Sequence, residues 1–335
     1  MIDSMARFPF PLLVCDIGGT NMRFSHVEQP GQAPRLLESL ATAAWPGLAE
    51  AAAYVIRTHG LDIRSFVACG AGPVAGKGLH LTNAAWAIDG PSLADHLRLQ
   101  QGLLLNDFEA LAFTLPTIER DAIRPIGKQA VQTGTQIVLG PGTGLGVAAL
   151  MASAGGHLVV PGEAGHIDFG PHTAEEAAFW PHIDPGLGRV SAEWLLSGPG
   201  LARLHHARLM AEGLVPDAED PVAITTRAHT YPNGEAAATL RLFWRLVARF
   251  AGDMALTFLA RGGVTLAGGV LPKITSFLDE AAFRTVFEAK APMQPLLQTM
   301  PVRILMEENA VARGMAAIAG NPDAYSIDYA ARCWR

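Results

Sequence analysis

Cysteine is scarce in this sequence, with three among 335 residues. Cys15, Cys69 and Cys333 lie far apart and show no CxxC spacing, so neither a disulfide framework nor a zinc site is predicted. The first residues, MIDSMARFPFPLLVCDIGG, lack the longer apolar core and the small-residue cleavage site of a secretion signal. These features favour a reduced, cytoplasmic enzyme.

Charged residues are also few, at 17% of the chain, and the net charge is −6. No block of lysine and arginine stands out, so we expect no nucleic-acid partner. No stretch approaches the roughly 18 consecutive apolar residues of a membrane helix. We therefore expect no membrane association either.

Apolar residues and glycine are abundant: 50% of the residues are hydrophobic and 35 are glycine. The length predicts about two domains of roughly 150 residues each. Short apolar strand patterns alternate with helical ones in the first third of the chain, which favours an α/β architecture. The predicted strands are 12–17, 65–71, 103–105, 136–139, 147–151, 264–267 and 302–306, and the predicted helices include 46–59 and 234–259.

Three of the predicted strands end in a glycine turn, namely DIGGTN (16–21), GPGTGLG (140–146) and LAGGV (266–270). Adjacent glycines let the backbone approach a ligand closely, and their N–H groups can surround an anion. A single glycine turn is more often an ordinary hairpin. Three of them are harder to explain as hairpins alone. Neither a GxxxxGK[ST] loop nor a GxGxxG fingerprint is present, so a nucleotide, if bound, would be held by neither motif.

The dipeptide Asn106-Asp107 follows a predicted strand, at the position where open α/β sheets bind ligands. A carboxylate there can accept a proton from an attacking hydroxyl group. Alternatively, Asp107 caps the helix predicted over 108–113, which is a common role for aspartate. The local sequence leaves both interpretations open.

Two further segments carry polar side chains suited to binding hydroxyl groups. Glu163 and His166 lie in the glycine-rich loop PGEAGH, and both residue types hydrogen-bond hydroxyls. Glu193 lies in the apolar segment VSAEWLL, where burial without a partner would be costly. The alternatives are ordinary loop polarity for the first pair and an exposed helix face for Glu193.

Other polar clusters are predicted to be solvated surface. These are the pair His205-His206 and the stripe formed by Arg241, Arg245 and Arg249 on one predicted helix.

The three glycine turns, in this order, resemble the phosphate-1, phosphate-2 and adenosine motifs of the actin, Hsp70 and sugar-kinase superfamily. Within it, the chain resembles bacterial glucokinases of the branch without a structural zinc, from about residue 12 to about residue 315. The matching segments are LTNAAW (81–86), LLNDFEALA (104–112), PGEAGHIDF (161–169), VSAEWLLSGPGL (190–201) and AFRTVFEAK (282–290).

This resemblance implies an α/β, two-domain, actin-like (ribonuclease-H-like) fold with sugar and ATP in a cleft between the domains. It implies a small domain of residues 1–117, completed by residues from about 309 to 335, and a large domain of residues 118–308. A homodimer is also expected. The tail 321–335 departs from the family pattern and is expected to be disordered or to cover a neighbouring subunit.

The implied reaction is phosphorylation of D-glucose by ATP to glucose 6-phosphate, feeding glycolysis, with Mg²⁺ and with Asp107 as the general base. The implied glucose ligands are Asn83, Asn106, Asp107, Glu163, His166 and Glu193. The implied ATP-binding residues are Cys15, Asp16, Ile17, Gly18, Gly19, Thr20, Gly142, Thr143, Gly144, Gly268 and Gly269. Asp16 is the candidate Mg²⁺ ligand, acting through water. Cys15 stands where many relatives have glycine, a change that a backbone contact would survive.

Two alternatives stay open at this point, and a third is nearly excluded. The chain could phosphorylate another hexose, such as mannose, fructose or an N-acetylhexosamine. An actin-like ATPase would keep the glycine turns without needing the Asn-Asp pair or the GEAGH loop. A sugar-responsive regulator of this fold would carry a DNA-binding helix pair before the first strand, where residues 1–11 leave little room.

Overall fold

The computed structural model describes residues 7–81, 86–130, 132–186, 188–216 and 220–335, so Asn83 lies outside the described residues. The strands are β1 (Leu12–Ile17), β2 (Asn21–Val27), β3 (Arg35–Ala41), β4 (Ser65–Gly70), β5 (Val74–Ala75), β6 (Gly78–His80), β7 (Ala87–Asp89), β8 (Gln101–Asn106), β9 (Ile123–Ile126), β10 (Gln136–Pro141), β11 (Leu145–Ser153), β12 (Gly156–Gly162), β13 (Gly263–Leu266) and β14 (Val302–Leu305). The helices are α1 (Leu48–His59), α2 (Gly90–Leu97), α3 (Asp107–Ala112), α4 (Ala174–Phe179), α5 (Ala192–Leu195), α6 (Gly198–Ala211), α7 (Pro221–Thr230), α8 (Glu235–Thr257), α9 (Glu280–Glu288), α10 (Gln294–Thr299), α11 (Ala310–Gly320) and α12 (Tyr329–Arg332).

The chain forms two compact units. Unit 1 contains Met1–Glu119, Ala148–Pro161 and Glu307–Arg335, and unit 2 contains Arg120–Val147 and Gly162–Met306. The domain boundaries implied by the resemblance stay a prediction. Among the described residues, no helix is both long and apolar enough to cross a membrane.

Unit 1 is built on a five-stranded sheet with the order β3-β2-β1-β4-β8. Strands β1 and β2 form an antiparallel hairpin, whereas β4 pairs in parallel with both β1 and β8. The central strands are buried along their length, as their continuous apolar sequences LLVCDI and SFVACG require. Parallel pairing brings the carboxyl ends of β1, β4 and β8 to one edge of the sheet.

Helices cover both faces of this sheet. The buried side chains of α1 and α2 form one core cluster with Phe24 and Phe66. Helix α11 packs on α3, β1 and β4. Gly314 permits this close approach, because a Cβ there would lie 1.8 Å from the carbonyl oxygen of Ala110. The hydroxyl of Thr114, two residues after α3, donates to the carbonyl oxygen of Ala310 at the start of α11 at 2.7 Å.

The second sheet has the order β12-β11-β10-β13-β14-β9, and unit 2 contains its strands β10, β13, β14 and β9. Strand β13 pairs in parallel with β10 and β14, and β9 adds antiparallel to β14. Helix α8 is buried along most of its length and packs against α6, α7 and α9. Unit 2 is therefore also a mixed α/β body with a parallel centre.

All seven predicted strands are present, within about two residues of their predicted ends. The structure adds strands that the patterns did not indicate, chiefly β3, β9, β12 and the small sheet β5-β6-β7. Helix α1 starts at Leu48 rather than at Pro46, because Gly47 is extended and takes the N-cap position.

Two predictions of solvated surface are wrong. Arg249 is buried and pairs with the buried carboxylate of Glu176 at 2.8 Å. His205 is also buried, and its Nδ1 lies 2.8 Å from the hydroxyl of Thr239. The expected disorder of the tail is also wrong, because Trp334 forms an antiparallel bridge with Gly102 on β8, whereas coverage of a neighbouring subunit stays a prediction. In each case the partner lies far away in the sequence.

Candidate active site

The first glycine turn follows β1 in unit 1 and is a tight hairpin. The amide of Gly18 donates to the carbonyl oxygen of Asn21 at 2.9 Å. Thr42 fixes the turn from the side, because its hydroxyl donates to Gly18 O at 2.8 Å and its amide donates to Thr20 O at 2.9 Å. Residues 18–20 themselves are exposed. The backbone of the turn is thus held in place while its outer surface is accessible to a ligand.

Asp16, the candidate Mg²⁺ ligand, precedes this turn, and its side chain is 23% exposed. Its Oδ2 lies 3.7 Å from Arg23 Nη1, and the thiol of Cys69 donates to its Oδ1 at 3.8 Å. Burial raises the pKa of the Asp16 carboxyl, and Arg23 and the Cys69 thiol oppose that shift. Cys15, by contrast, is fully buried within β1, between the paired strands β2 and β4, so its contact with ATP stays a prediction.

Asn106 and Asp107 lie at the same edge of the sheet as the first glycine turn. In the strand register Ile17 faces Gly70, and Gly70 faces Asn106. Two strand spacings of about 4.8 Å therefore separate the end of β1 from the end of β8, or about 10 Å. The sheet brings a candidate phosphate turn and a candidate base to neighbouring positions.

The cap of α3 is Asn106 rather than Asp107. Asn106 Oδ1 accepts from the amides of Phe108 at 3.0 Å and Glu109 at 3.2 Å, and Glu109 Oε2 accepts from the Asn106 amide at 3.2 Å. This reciprocal pair is a capping box. Asp107 takes the first helical position, with its Oδ1 3.0 Å from the Phe108 amide. The interpretation of Asp107 as the helix cap is thereby corrected.

Glu163, His166 and Glu193 form one polar cluster in unit 2. His166 Nε2 lies 3.8 Å from Glu163 Oε2, and His166 Nδ1 lies 4.0 Å from Glu193 Oε1. Backbone bonds between the loop and the start of α5 bring them together, with Ala192 N donating to Ile167 O at 3.0 Å. The three side chains are one third to two thirds exposed. They offer carboxylate and imidazole groups to the hydroxyls of a ligand.

The second and third glycine turns are neighbours in unit 2, because β10 and β13 pair in parallel up to Leu139 and Leu266. Gly140 and Gly268 are required by packing, since a Cβ would lie 1.9 Å from Ala267 O and 2.3 Å from Pro141 O, respectively. Gly268 also has a φ of +86°.

Gly142 and Gly269 differ from these two, because no described atom lies within 4 Å of the position that a Cβ would take. Protein packing alone does not require glycine at these two positions. Open backbone at a paired glycine turn fits a site where a nucleotide approaches the chain closely.

The predicted residues thus fall into two groups. In unit 1, the residues at the carboxyl end of β1 share one sheet edge with Asn106 and Asp107; they are Cys15, Asp16, Ile17, Gly18, Gly19 and Thr20. Unit 2 contains the other two glycine turns, Gly142–Gly144 and Gly268–Gly269. It also contains the cluster of Glu163, His166 and Glu193. No sequence pattern indicated Thr42 or Cys69, which contact the first group only through the fold.

Solved structures show which class of protein has this architecture. A glucokinase from an Antarctic psychrotroph is similar with a TM-score of 0.81 and 30% identity, over 93% of this chain and all of that one. A glucokinase from Balamuthia mandrillaris in complex with glucose shares the fold, with a TM-score of 0.77. The fold and the site define an ATP-dependent sugar kinase of the two-domain actin-like class.

The glucokinase family model matches residues 13–322, and the chain belongs to the glucokinase family. The glucokinase of Brucella melitensis biotype 1 is 39% identical over all of this chain and 98% of its own length. That of Agrobacterium fabrum is 39% identical over 97% of this chain and 96% of its own length. The expected fold class and the expected ATP-dependent, hexokinase-type activity are confirmed.

Proposed function

We propose that this chain transfers the γ-phosphoryl group of ATP to the 6-hydroxyl of D-glucose, with Asp107 as the general base. The observation that carries the proposal is the position of Asp107, which follows β8 at the sheet edge that also bears the first glycine turn. Asn106 supplies the helix cap, so the carboxylate of Asp107 is not needed for that task.

The glycine turns are assigned to the phosphate groups and the adenosine of ATP. Phosphoryl transfer requires positioning and charge neutralisation more than covalent chemistry. The turn of residues 18–20 is exposed and that of Gly142–Gly144 is partly exposed, so both can meet phosphate oxygens. Gly268 and Gly269 form the adjoining third turn, with open space at Gly269. A neighbour from Streptomyces griseus, described in complex with glucose and AMPPNP, shares this fold with a TM-score of 0.63.

Magnesium fits the donors of the first turn. Mg²⁺ prefers oxygen ligands and keeps several waters, so a single carboxylate together with ATP oxygens suffices. Asp16 is that carboxylate in this proposal, and a bound Mg²⁺ would neutralise phosphate charge. Within the described residues, no cluster of three or more His, Cys, Asp or Glu side chains is placed to hold a metal by itself.

Glucose is assigned to Glu163, His166 and Glu193, together with Asn106 and Asn83. The carboxylates would accept hydrogen bonds from sugar hydroxyls, and the imidazole can donate or accept. Asp107 would take the proton of the 6-hydroxyl as that oxygen attacks. The ring ligands thereby orient the hydroxyl, and the base activates it.

An ADP-release assay over a panel of hexoses tests the proposal. We expect turnover with glucose only when ATP and Mg²⁺ are both present, and much weaker turnover with mannose, fructose and N-acetylglucosamine. Faster turnover with one of these sugars would move the assignment to that hexose. Equal ADP release without any sugar would indicate an actin-like ATPase instead.

A homodimer stays a prediction drawn from the family resemblance, and a cytoplasmic location stays one drawn from the scarce cysteines and the N-terminal sequence. Sedimentation equilibrium of the purified chain tests the first, since a dimer doubles the mass of 35.4 kDa.

A further inference from the structure

The side chain of Arg332, in the C-terminal tail, binds to helix α3, whose first residue is the candidate base Asp107. Arg332 Nη1 lies 2.5 Å from Glu109 Oε1, and its Nη2 donates to Glu109 Oε2 at 2.9 Å. Nη2 also donates to the carbonyl oxygen of Leu104 on β8 at 2.9 Å. The guanidinium thus spans the junction between β8 and α3 from a position 223 residues further along the chain.

Glu109 connects this contact to Asn106 and Asp107. Its Oε2 is also the acceptor for the Asn106 amide in the capping box, at 3.2 Å. The Glu109 side chain is only 4% exposed, whereas that of Arg332 is 19% exposed. Removing one partner of a buried ion pair is strongly destabilising because the other charge is left uncompensated. Without Arg332, the Glu109 carboxylate would have to move toward solvent and release the Asn106 amide.

Contacts of the tail on both sides of Arg332 hold its backbone in place. Trp334 is 1% exposed and exchanges two backbone hydrogen bonds with Gly102, at 2.9 and 3.1 Å. A Cβ on Gly90 or on Gly102 would lie within 2.3 Å of the Trp334 indole ring. Asp328 caps α12 by accepting from the Ala331 amide at 3.0 Å. Anchors on both sides of Arg332 therefore fix its backbone.

We propose that Arg332 is a positioning residue for phosphoryl transfer, which holds the capping box and thereby the carboxylate of Asp107 at its place after β8. This inference rests on the proposed role of Asp107 as the base. Arg332 touches neither substrate in the proposal. It acts through Glu109, and its removal should impair the chemical step more than glucose binding.

The test compares Arg332→Ala and Arg332→Lys with Arg335→Ala, a matched control. Arg335 is a tail arginine that donates to the side chain of Gln101 at 3.2 Å, at the opposite end of β8. For each variant we would measure kcat per folded molecule, KM for glucose and Tm. Lysine cannot reproduce a bidentate contact, so it separates the charge from the geometry.

We expect kcat of both Arg332 variants to fall by about 10- to 100-fold, as misplacement of a catalytic group does. KM for glucose should change less, because Asn106 in the capping box is one of several assigned glucose ligands. Arg335→Ala should keep the kcat of the unmodified chain. Arg332 also lines a cavity of about 210 Å³ together with Glu109 and Phe113. Millimolar methylguanidinium should therefore enter the space vacated in Arg332→Ala and restore part of its kcat.

A double-mutant cycle with Asp107→Asn separates this inference from the proposed function. If Arg332 acts through Asp107, its removal in the Asp107→Asn background should cost little further activity. Unchanged kcat per folded molecule in Arg332→Ala and Arg332→Lys, whatever their Tm, would overturn the positioning role. A fully active Asp107→Asn variant would instead overturn the assignment of the base.

Discussion

Glu193 Oε2 accepts a hydrogen bond of 2.8 Å from the backbone amide of Leu145. Leu145 directly follows Gly144, and Glu193 Oε1 faces the imidazole of His166. One carboxylate in unit 2 thus contacts both the cluster assigned to glucose and the turn assigned to phosphate.

This double contact predicts that two substitutions of Glu193 behave differently. Glu193→Ala removes both contacts and should raise KM for glucose and for ATP. Glu193→Gln keeps an oxygen that can accept from the Leu145 amide, so it should raise mainly KM for glucose. A hydrogen bond to a charged group is worth about 1.5–3 kcal/mol, or roughly 10- to 100-fold in KM. Identical KM values for ATP in the two variants would show that the bond to Leu145 does not support the turn.

Asp107→Asn is expected to lower kcat by at least about 100-fold, because general-base catalysis contributes about 10²–10⁴-fold. Glucose affinity should change much less, since the assigned ring ligands stay in place. Its Tm should stay near that of the unmodified chain, because Asn106 caps α3.

The matched variant is Asn106→Ala, which removes the cap and should cost about 0.5–2 kcal/mol of stability. Calorimetry together with steady-state kinetics separates the two effects. A near-normal kcat in Asp107→Asn would remove Asp107 from the mechanism.

Two alanine substitutions in the second glycine turn are expected to affect different ligands. Gly142→Ala meets no described atom, so the protein should fold normally, and a raised KM for ATP would report a nucleotide in that space. In Gly144→Ala the new Cβ would lie 2.4 Å from Glu193 Oε2 and should displace that flexible carboxylate. We therefore expect Gly144→Ala to raise KM for glucose. An unchanged KM for ATP in Gly142→Ala would argue against phosphate binding at this turn.

The three cysteines should be unreactive in the folded protein near neutral pH. All three side chains are buried. Burial raises the pKa of Cys15 and Cys69 well above the usual value and that of Cys333 to about 11. A raised thiol pKa keeps the protonated form, and only the thiolate is nucleophilic. Titration with a disulfide reagent should count no fast thiol in the native state and three in denaturant. One fast native thiol would contradict this.

Local patterns predicted most of the sheet, and the family resemblance indicated the residues of the candidate site. Buried strands such as β1 and β4 are continuous apolar runs that stop at glycine, so their ends were predictable. Strand β3, RLLESLA, was missed because it is an edge strand with mostly exposed residues and no regular alternation. The motifs around Asp107 and His166 are contiguous in sequence, so they could be recognised without a structure.

Residues that act through distant partners were not predictable. Arg249 reads as one of three arginines on an exposed stripe, yet Glu176 on α4 pairs with it in the interior. Cys69 contacts Asp16 only because β1 and β4 pair in this register. Neither partner is indicated by any spacing along the chain.

The sequence by itself determined the α/β alternation, the three glycine turns and the types of side chain that can bind phosphate, sugar and a proton. These depend on backbone freedom and side-chain chemistry within a few residues. Only the tertiary structure decided that Asn106 caps α3 with Glu109, that Thr42 holds the first turn and that Arg332 reaches Glu109. Such contacts form because parallel pairing and helix packing bring together residues that are separated along the chain. No local sequence pattern indicates which distant residues will meet.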